Sequence, residues 1–189
     1  MMIPENLKTL FSEIRSCQKC KNESVRIDCP QPGLFLGNKY LFIAQNPGRP
    51  RPEDIPSDAI LMNKDTTDKK FHETYKKSQL SWKFYNYIKE IIGDSMDFSI
   101  INVVRCPTKD NAPITDTMIF NCKPFLLKTI ELINPKNIIV MGSFARDEIS
   151  KLRMSYKYNI IYTYHYSYLL RMGKWFSEEE IKKVKDRLE

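Results

Sequence analysis

The sequence predicts an α/β protein, a three-layer α-β-α domain built around a central, mainly parallel four-stranded sheet. Two observations carry that reading. Segments with helical spacing alternate with short apolar runs along the chain. Four of those runs are continuously apolar, the pattern of strands covered on both faces of a sheet. They are 39–44 (KYLFIA), 98–104 (FSIINVV), 136–142 (KNIIVMG) and 159–165 (NIIYTYH).

Taken in order, residues 4–16 place Leu7, Leu10, Phe11 and Ile14 at helical spacing, with Pro4 suited to a first turn. A cysteine-rich segment (17–33) closes on PQPG and leads into the first strand. Residues 47–80 open with Pro47, Pro50, Pro52 and Pro56 and continue as a polar, lysine-rich run. They read as an irregular insertion at about 49–80 in a single domain spanning 1–189. Residues 81–92 form a helix with Trp82, Tyr85, Ile88 and Ile92 along one face and Gly93 as its stop. After the second strand, a helix over 114–134 opens at Thr115 or Asp116. Pro124 falls inside it and is expected to kink or break it. The third strand is followed by the helical segment SFARDEIS, and the last strand by a terminal helix over 177–188 with an N-cap serine.

In sheets of this kind ligands bind at the carboxyl ends of the strands. Gln45 and Asn46, Asn102 and His165 all fall there. An ordinary explanation stands beside each: Asn46 precedes a Pro-Gly turn, Asn102 could cap a strand end, and His165 could be a satisfied core or surface group.

At 189 residues and 42% hydrophobic content the chain can bury a substantial core. No apolar stretch approaches the ~20 residues of a membrane span, and the N-terminus lacks the basic-then-apolar pattern of a secretory signal. A cytoplasmic protein without membrane contact is expected. The net charge of +7 suits a polyanionic partner such as nucleic acid without identifying one.

Five cysteines in such a chain point to metal or catalysis rather than a disulfide framework. Cys17 and Cys20 form C-x-x-C, and Cys106 and Cys122 are separated by 15 residues. Four thiolates assembled by the fold would suit tetrahedral zinc or an iron–sulfur cluster, and spacing does not choose between them. The alternative is that Cys106 and Cys122 are simply buried. Cys29 is read as structural.

Together, CQKC, LFIAQNPG, the long stretch from INVVRCPTKDNAPITD to NIIVMG, and HYSYLLR resemble the uracil-DNA glycosylase superfamily. The likeness is greatest to its iron–sulfur-containing members, family 4, and spans roughly residues 10–172. It implies a uracil-DNA glycosylase-like fold and hydrolysis of the bond between a flipped uracil and its sugar. It also implies a 4Fe–4S cluster on Cys17, Cys20, Cys106 and Cys122, with zinc as the less favoured occupant. By the same resemblance Asn46 would hold the attacking water, Asn102 would read the uracil edge, and His165 would donate to uracil O2. Gln45 would lie against the base, and Phe71 would stack on it. SYLLR (167–171) would be the loop entering the minor groove, with Leu169 or Leu170 as the wedge and Ser167 and Arg171 on phosphates. Arg105 and Lys109, near the cluster, could meet phosphate. Leu169 and Leu170 could equally be core residues.

The chain also departs from the pattern. The usual G-E-x-P-G reads AQNPG, closer to the G-x-N-P-G of other branches; the P-F-V-G segment is not recognisable between 51 and 80; and H-P-S reads HYS. The expected partner is DNA containing deaminated bases, met by a monomer. Two other readings remain: a glycosylase for another base such as hypoxanthine, or a non-catalytic, metal-stabilised nucleic-acid-binding module.

Overall fold

The computed structural model describes residues 4–25, 30–47, 79–173 and 178–188. Strands β1 (Leu34–Phe35), β2 (Tyr40–Ala44), β3 (Phe98–Asn102), β4 (Asn137–Met141) and β5 (Asn159–Thr163) form one sheet in the order β1-β3-β2-β4-β5. The four expected strands are all present and mutually parallel. The addition is β1, a two-residue strand antiparallel to β3 at the sheet edge, too short to leave a periodic signal.

Helices cover both faces, as the continuous apolar strands require. Strand side chains point alternately to opposite faces. On one face Leu41, Ile43, Ile101, Ile138 and Val140 pack against α1 (Glu5–Arg15), α3 (Asp116–Ile133) and α4 (Ser143–Ser150). On the other, Phe42, Ala44, Phe98, Ile139, Met141 and Ile161 pack against α2 (Gln79–Ile92) and α6 (Glu178–Lys185). The apolar stripe of α1, Leu7, Leu10, Phe11 and Ile14, is wholly buried. Helix α2 buries Tyr85, Tyr87, Ile88 and Ile91, while Ile92 is only half-buried. It ends where Gly93, at φ +68°, donates its N–H to the Lys89 carbonyl.

Pro124 does not break its helix: α3 runs unbroken from Asp116 to Ile133. The hydrogen bond that proline forgoes would have gone to the carbonyl of Phe120, whose side chain is 78% exposed. On that wet side of the helix, water can replace it. Thr115 is the N-cap, its hydroxyl accepting the Met118 N–H at 3.3 Å, and Asn134 ends the helix in the left-handed conformation.

Among the described residues no helix is long and apolar enough to cross a membrane. The insertion expected at about 49–80 lies outside the described residues up to position 78, as do Phe71, Cys29 and the expected N-cap Ser177.

Candidate active site

Register brings the four parallel strands to a level end. Ala44 pairs with Asn102, Ile43 with Val140, and Met141 with Thr163. The chain leaves β2 toward β3 on one side and later returns to β4 on the other. The carboxyl ends of β2 and β4 therefore form the crevice where open α/β sheets bind ligands. Gln45, Asn46, Asn102, Gly142 and His165 sit at or just beyond this edge.

The β2–β3 ladder continues past the strand ends: Val103 and Val104 donate their N–H groups to the carbonyls of Ala44 and Gln45. That anchoring holds AQNP against Asn102. Asn46 is half-buried, and its amide donates to the Pro47 carbonyl at 3.3 Å. Asn102 is half-buried, and among the described residues its carboxamide has no hydrogen-bond partner. Gln45 is exposed.

His165 is the N-cap of a short helix, α5 (Tyr166–Arg171), two residues beyond β5. Its Nδ1 accepts the Ser167 N–H at 3.3 Å and lies 2.7 Å from the Ser167 hydroxyl. A ring nitrogen used as acceptor cannot carry the proton, so the hydrogen resides on Nε2, which is a donor. Burial, with the Arg171 charge adding to it, pushes the His165 pKa down to about 4, so the ring is neutral at physiological pH. Gly142 sets how closely this residue is held: at φ +88° it fits glycine, and a Cβ there would stand 3.3 Å from His165 Cβ. Its N–H donates to the Thr163 carbonyl, and the Thr163 hydroxyl in turn bonds the Tyr87 hydroxyl at 2.9 Å.

Residues 167–171, expected as a loop, are helical because His165 caps them. Leu169 is 2% exposed and packs in the core, so it is no wedge; Leu170 is half-buried. The Ser167 hydroxyl faces His165 rather than standing free, while Arg171 is exposed. Two residues the sequence reading passed over flank His165. Tyr164 and Tyr168 are 52% and 41% exposed and stack on one another at 5.3 Å between ring centres. Their spacing of four straddles a strand end and a helix start, so neither periodicity links them.

The cysteines form a second constellation. Cys20, Cys106 and Cys122 are buried, Cys17 is half-buried, and none of the four is in a disulfide. Burial raises the Cys122 pKa, the Arg105 N–H and charge oppose that rise, and Cys20 and Cys17 are close enough to add to it. Asn121 donates to the Lys19 carbonyl and to Cys20 Sγ, and the Lys109 N–H to the Ser24 carbonyl, tying the C-x-x-C segment to α3 and to the chain after Cys106. Thr115 donates to Glu23 at 2.7 Å across the same seam. One tetrahedral ion with bonds near 2.3 Å needs sulfurs about 4 Å apart. Among the described residues no group of three or more Cys, His, Asp or Glu could hold such an ion. Four cysteines are the donor set that an iron–sulfur cluster takes.

Arg105 corrects another expectation. It is 1% exposed and cannot reach phosphate: Nη1 donates to the Pro32 carbonyl at 2.9 Å and Nη2 to the Thr129 hydroxyl at 3.0 Å. Burial pulls its pKa down to about 10, which leaves it charged, and the charge of Cys122 works the other way. Lys109 is exposed.

A sequence profile of the uracil DNA glycosylase superfamily matches residues 35–189, beginning after the first cysteine pair. A protein of Saccharolobus solfataricus named type-4 uracil-DNA glycosylase is 29% identical, over 97% of this chain and 87% of the relative. Proteins of the same name from Sulfurisphaera tokodaii and Archaeoglobus fulgidus are 27% and 26% identical, over 73% and 78% of this chain. The matched regions span 55% and 65% of those two relatives.

Proposed function

The chain belongs to the uracil-DNA glycosylase superfamily, and on that premise we propose that it is a monofunctional DNA glycosylase, a hydrolase that releases a flipped uracil and leaves an abasic site. The observation that carries this reading is the level strand edge, which gathers two carboxamides and a neutral imidazole around one crevice. A flipped base is read there by its edge once it has left the stack.

The bond that breaks joins sugar C1′ to uracil N1, and its electron pair goes to the departing base. His165, with its hydrogen on Nε2, donates to uracil O2 as charge develops there. A neutral donor does this without carrying a proton that must be lost first. Such a donor is worth about 2.7–4 kcal/mol when it acts like an oxyanion-hole group. Asn102 donates to O4 and accepts from N3–H, and cytosine reverses both complementarities. Its lack of a partner among the described residues suits it to that reading. Asn46 turns its amide into the chain and offers its carbonyl oxygen to a water that attacks C1′. An Asn is no strong base, but a dissociated sugar cation does not require one.

Arg171 and Leu170 supply phosphate contact and wedge, and the exposed Tyr164–Tyr168 stack suits an unpaired base. Cys17, Cys20, Cys106 and Cys122 would hold a 4Fe–4S cluster, which binds the N-terminal segment to α3 and takes no part in the hydrolysis. The protein acts as a single domain and a monomer.

Single- and double-stranded oligonucleotides containing uracil, hypoxanthine or xanthine, treated with the protein and then with alkali, test this. Scission at uracil is the expected result. Scission at hypoxanthine alone would transfer the activity to that base, and binding without any scission would leave a nucleic-acid-binding module.

A further inference from the structure

Among the described residues Arg105 is the largest fully buried side chain, and the proposed base cleavage makes no use of it. Its two terminal nitrogens meet neutral acceptors, the Pro32 carbonyl and the Thr129 hydroxyl, and among the described residues its Nε has no partner. Among the described residues no carboxylate pairs with it. A guanidinium is always protonated, and an unpaired buried charge is among the costliest groups a fold can carry. Such a residue makes physical sense where an anion lies within reach.

Thiols that can become anionic lie near it. The backbone N–H of Arg105 donates to Cys122 Sγ at 3.5 Å, Cys122 also acts electrostatically on the guanidinium, and the next residue in the chain is Cys106. We propose that Arg105 is the internal counter-ion of a cluster held by Cys17, Cys20, Cys106 and Cys122, so that cluster loading and the burial of this charge depend on one another. The inference rests on the cluster reading given above. Four thiolate charges outweigh the positive charge of an oxidised cubane core, so the loaded site is net negative. With the site empty the negative charge of the loaded cluster is gone, and the guanidinium loses the partner it would balance. The contribution of Arg105 therefore changes sign with occupancy: favourable when loaded, unfavourable when empty. A purely structural clamp between Pro32 and Thr129 would contribute alike in both states.

Wild type, Arg105→Met and Arg105→Lys, purified anaerobically as the full chain, separate these cases. The measurements are iron and sulfide content, the rate of iron release to a chelator, the reduction potential, and thermal unfolding of loaded and stripped protein. For Arg105→Met, retention of iron should fall by about 10-fold or more, the range for outer-shell partners of metal sites. Its potential should move negative, because a nearby positive charge no longer favours the added electron. The stripped Arg105→Met protein should melt no lower than stripped wild type, and Arg105→Lys should recover part of the retention. Should Arg105→Met fail to load at all, the Lys variant and the melting of the stripped proteins decide. Iron-loaded wild type with an Arg105→Met that matches it in release rate and potential overturns this inference alone, as does equal destabilisation of loaded and stripped forms. Wild type without iron overturns the cluster reading and this inference with it.

Discussion

His165 turns its Nδ1 to Ser167, 2.7 Å from the hydroxyl and 3.3 Å from the backbone N–H, and so leaves Nε2 as the hydrogen-bearing nitrogen. One contact thereby caps a helix, fixes a tautomer and holds the ring where the strands end.

The low pKa of that ring has a consequence for stability. In the unfolded chain a histidine titrates near 6.5, whereas folded His165 titrates at about 4. Between those values the unfolded state takes up the proton first, so stability is lost as pH falls from about 6.5 toward 4. Urea unfolding at pH 7 and pH 4.5 should show a larger loss for wild type than for His165→Gln. The glycosylase rate should show no histidine titration between about pH 6 and 8.

Gly142→Ala places a methyl 3.3 Å from His165 Cβ at a φ of +88°. Left-handed backbone in a non-glycine residue costs of order 1–3 kcal/mol, and here the imidazole must also shift. Thermal unfolding should show the first effect, and a fall in uracil release of roughly 10-fold or more the second, since small displacements of catalytic groups are costly.

Asn102→Asp keeps the size of the side chain and removes its donor. The carboxylate can no longer donate to O4 but can accept from the amino group of cytosine. Uracil excision should fall by at least about 100-fold, with cytosine excision becoming measurable against matched oligonucleotides. Unchanged discrimination would remove Asn102 from the role of reader.

Thr115 caps α3 and also donates to Glu23, beside the C-x-x-C segment. Thr115→Ala should cost about 1–2 kcal/mol by urea unfolding, and Thr115→Ser should restore most of it. Iron release should quicken in the alanine variant if the seam also steadies the cysteines.

The frame was legible because its signals are local. Runs such as 137–141 are buried at every position, which only a doubly covered strand tolerates. Thr115 and Gly93 announce helix ends by backbone chemistry alone. What stayed hidden depends on tertiary neighbours. Helix α5 exists because the side chain of the residue just before it caps it, and the motif HYSYLLR carries no periodicity long enough to show it. Leu169 and Leu170 are chemically alike, and only tertiary packing separates the buried one from the half-buried one. Arginine is so rarely buried that Arg105 reads as a surface charge until its acceptors on Pro32 and Thr129 are seen. At Pro124 the expected break failed because the forfeited carbonyl belongs to an exposed turn of the helix.

The most direct test of the account is the release of free uracil from labelled uracil-containing DNA under single-turnover conditions, by wild type and by His165→Ala. Wild type should release the base, and the variant should do so about 10²–10³-fold more slowly while binding the same DNA with unchanged affinity. Wild-type protein that binds this DNA and releases no uracil, or a His165→Ala variant as fast as wild type, would contradict it.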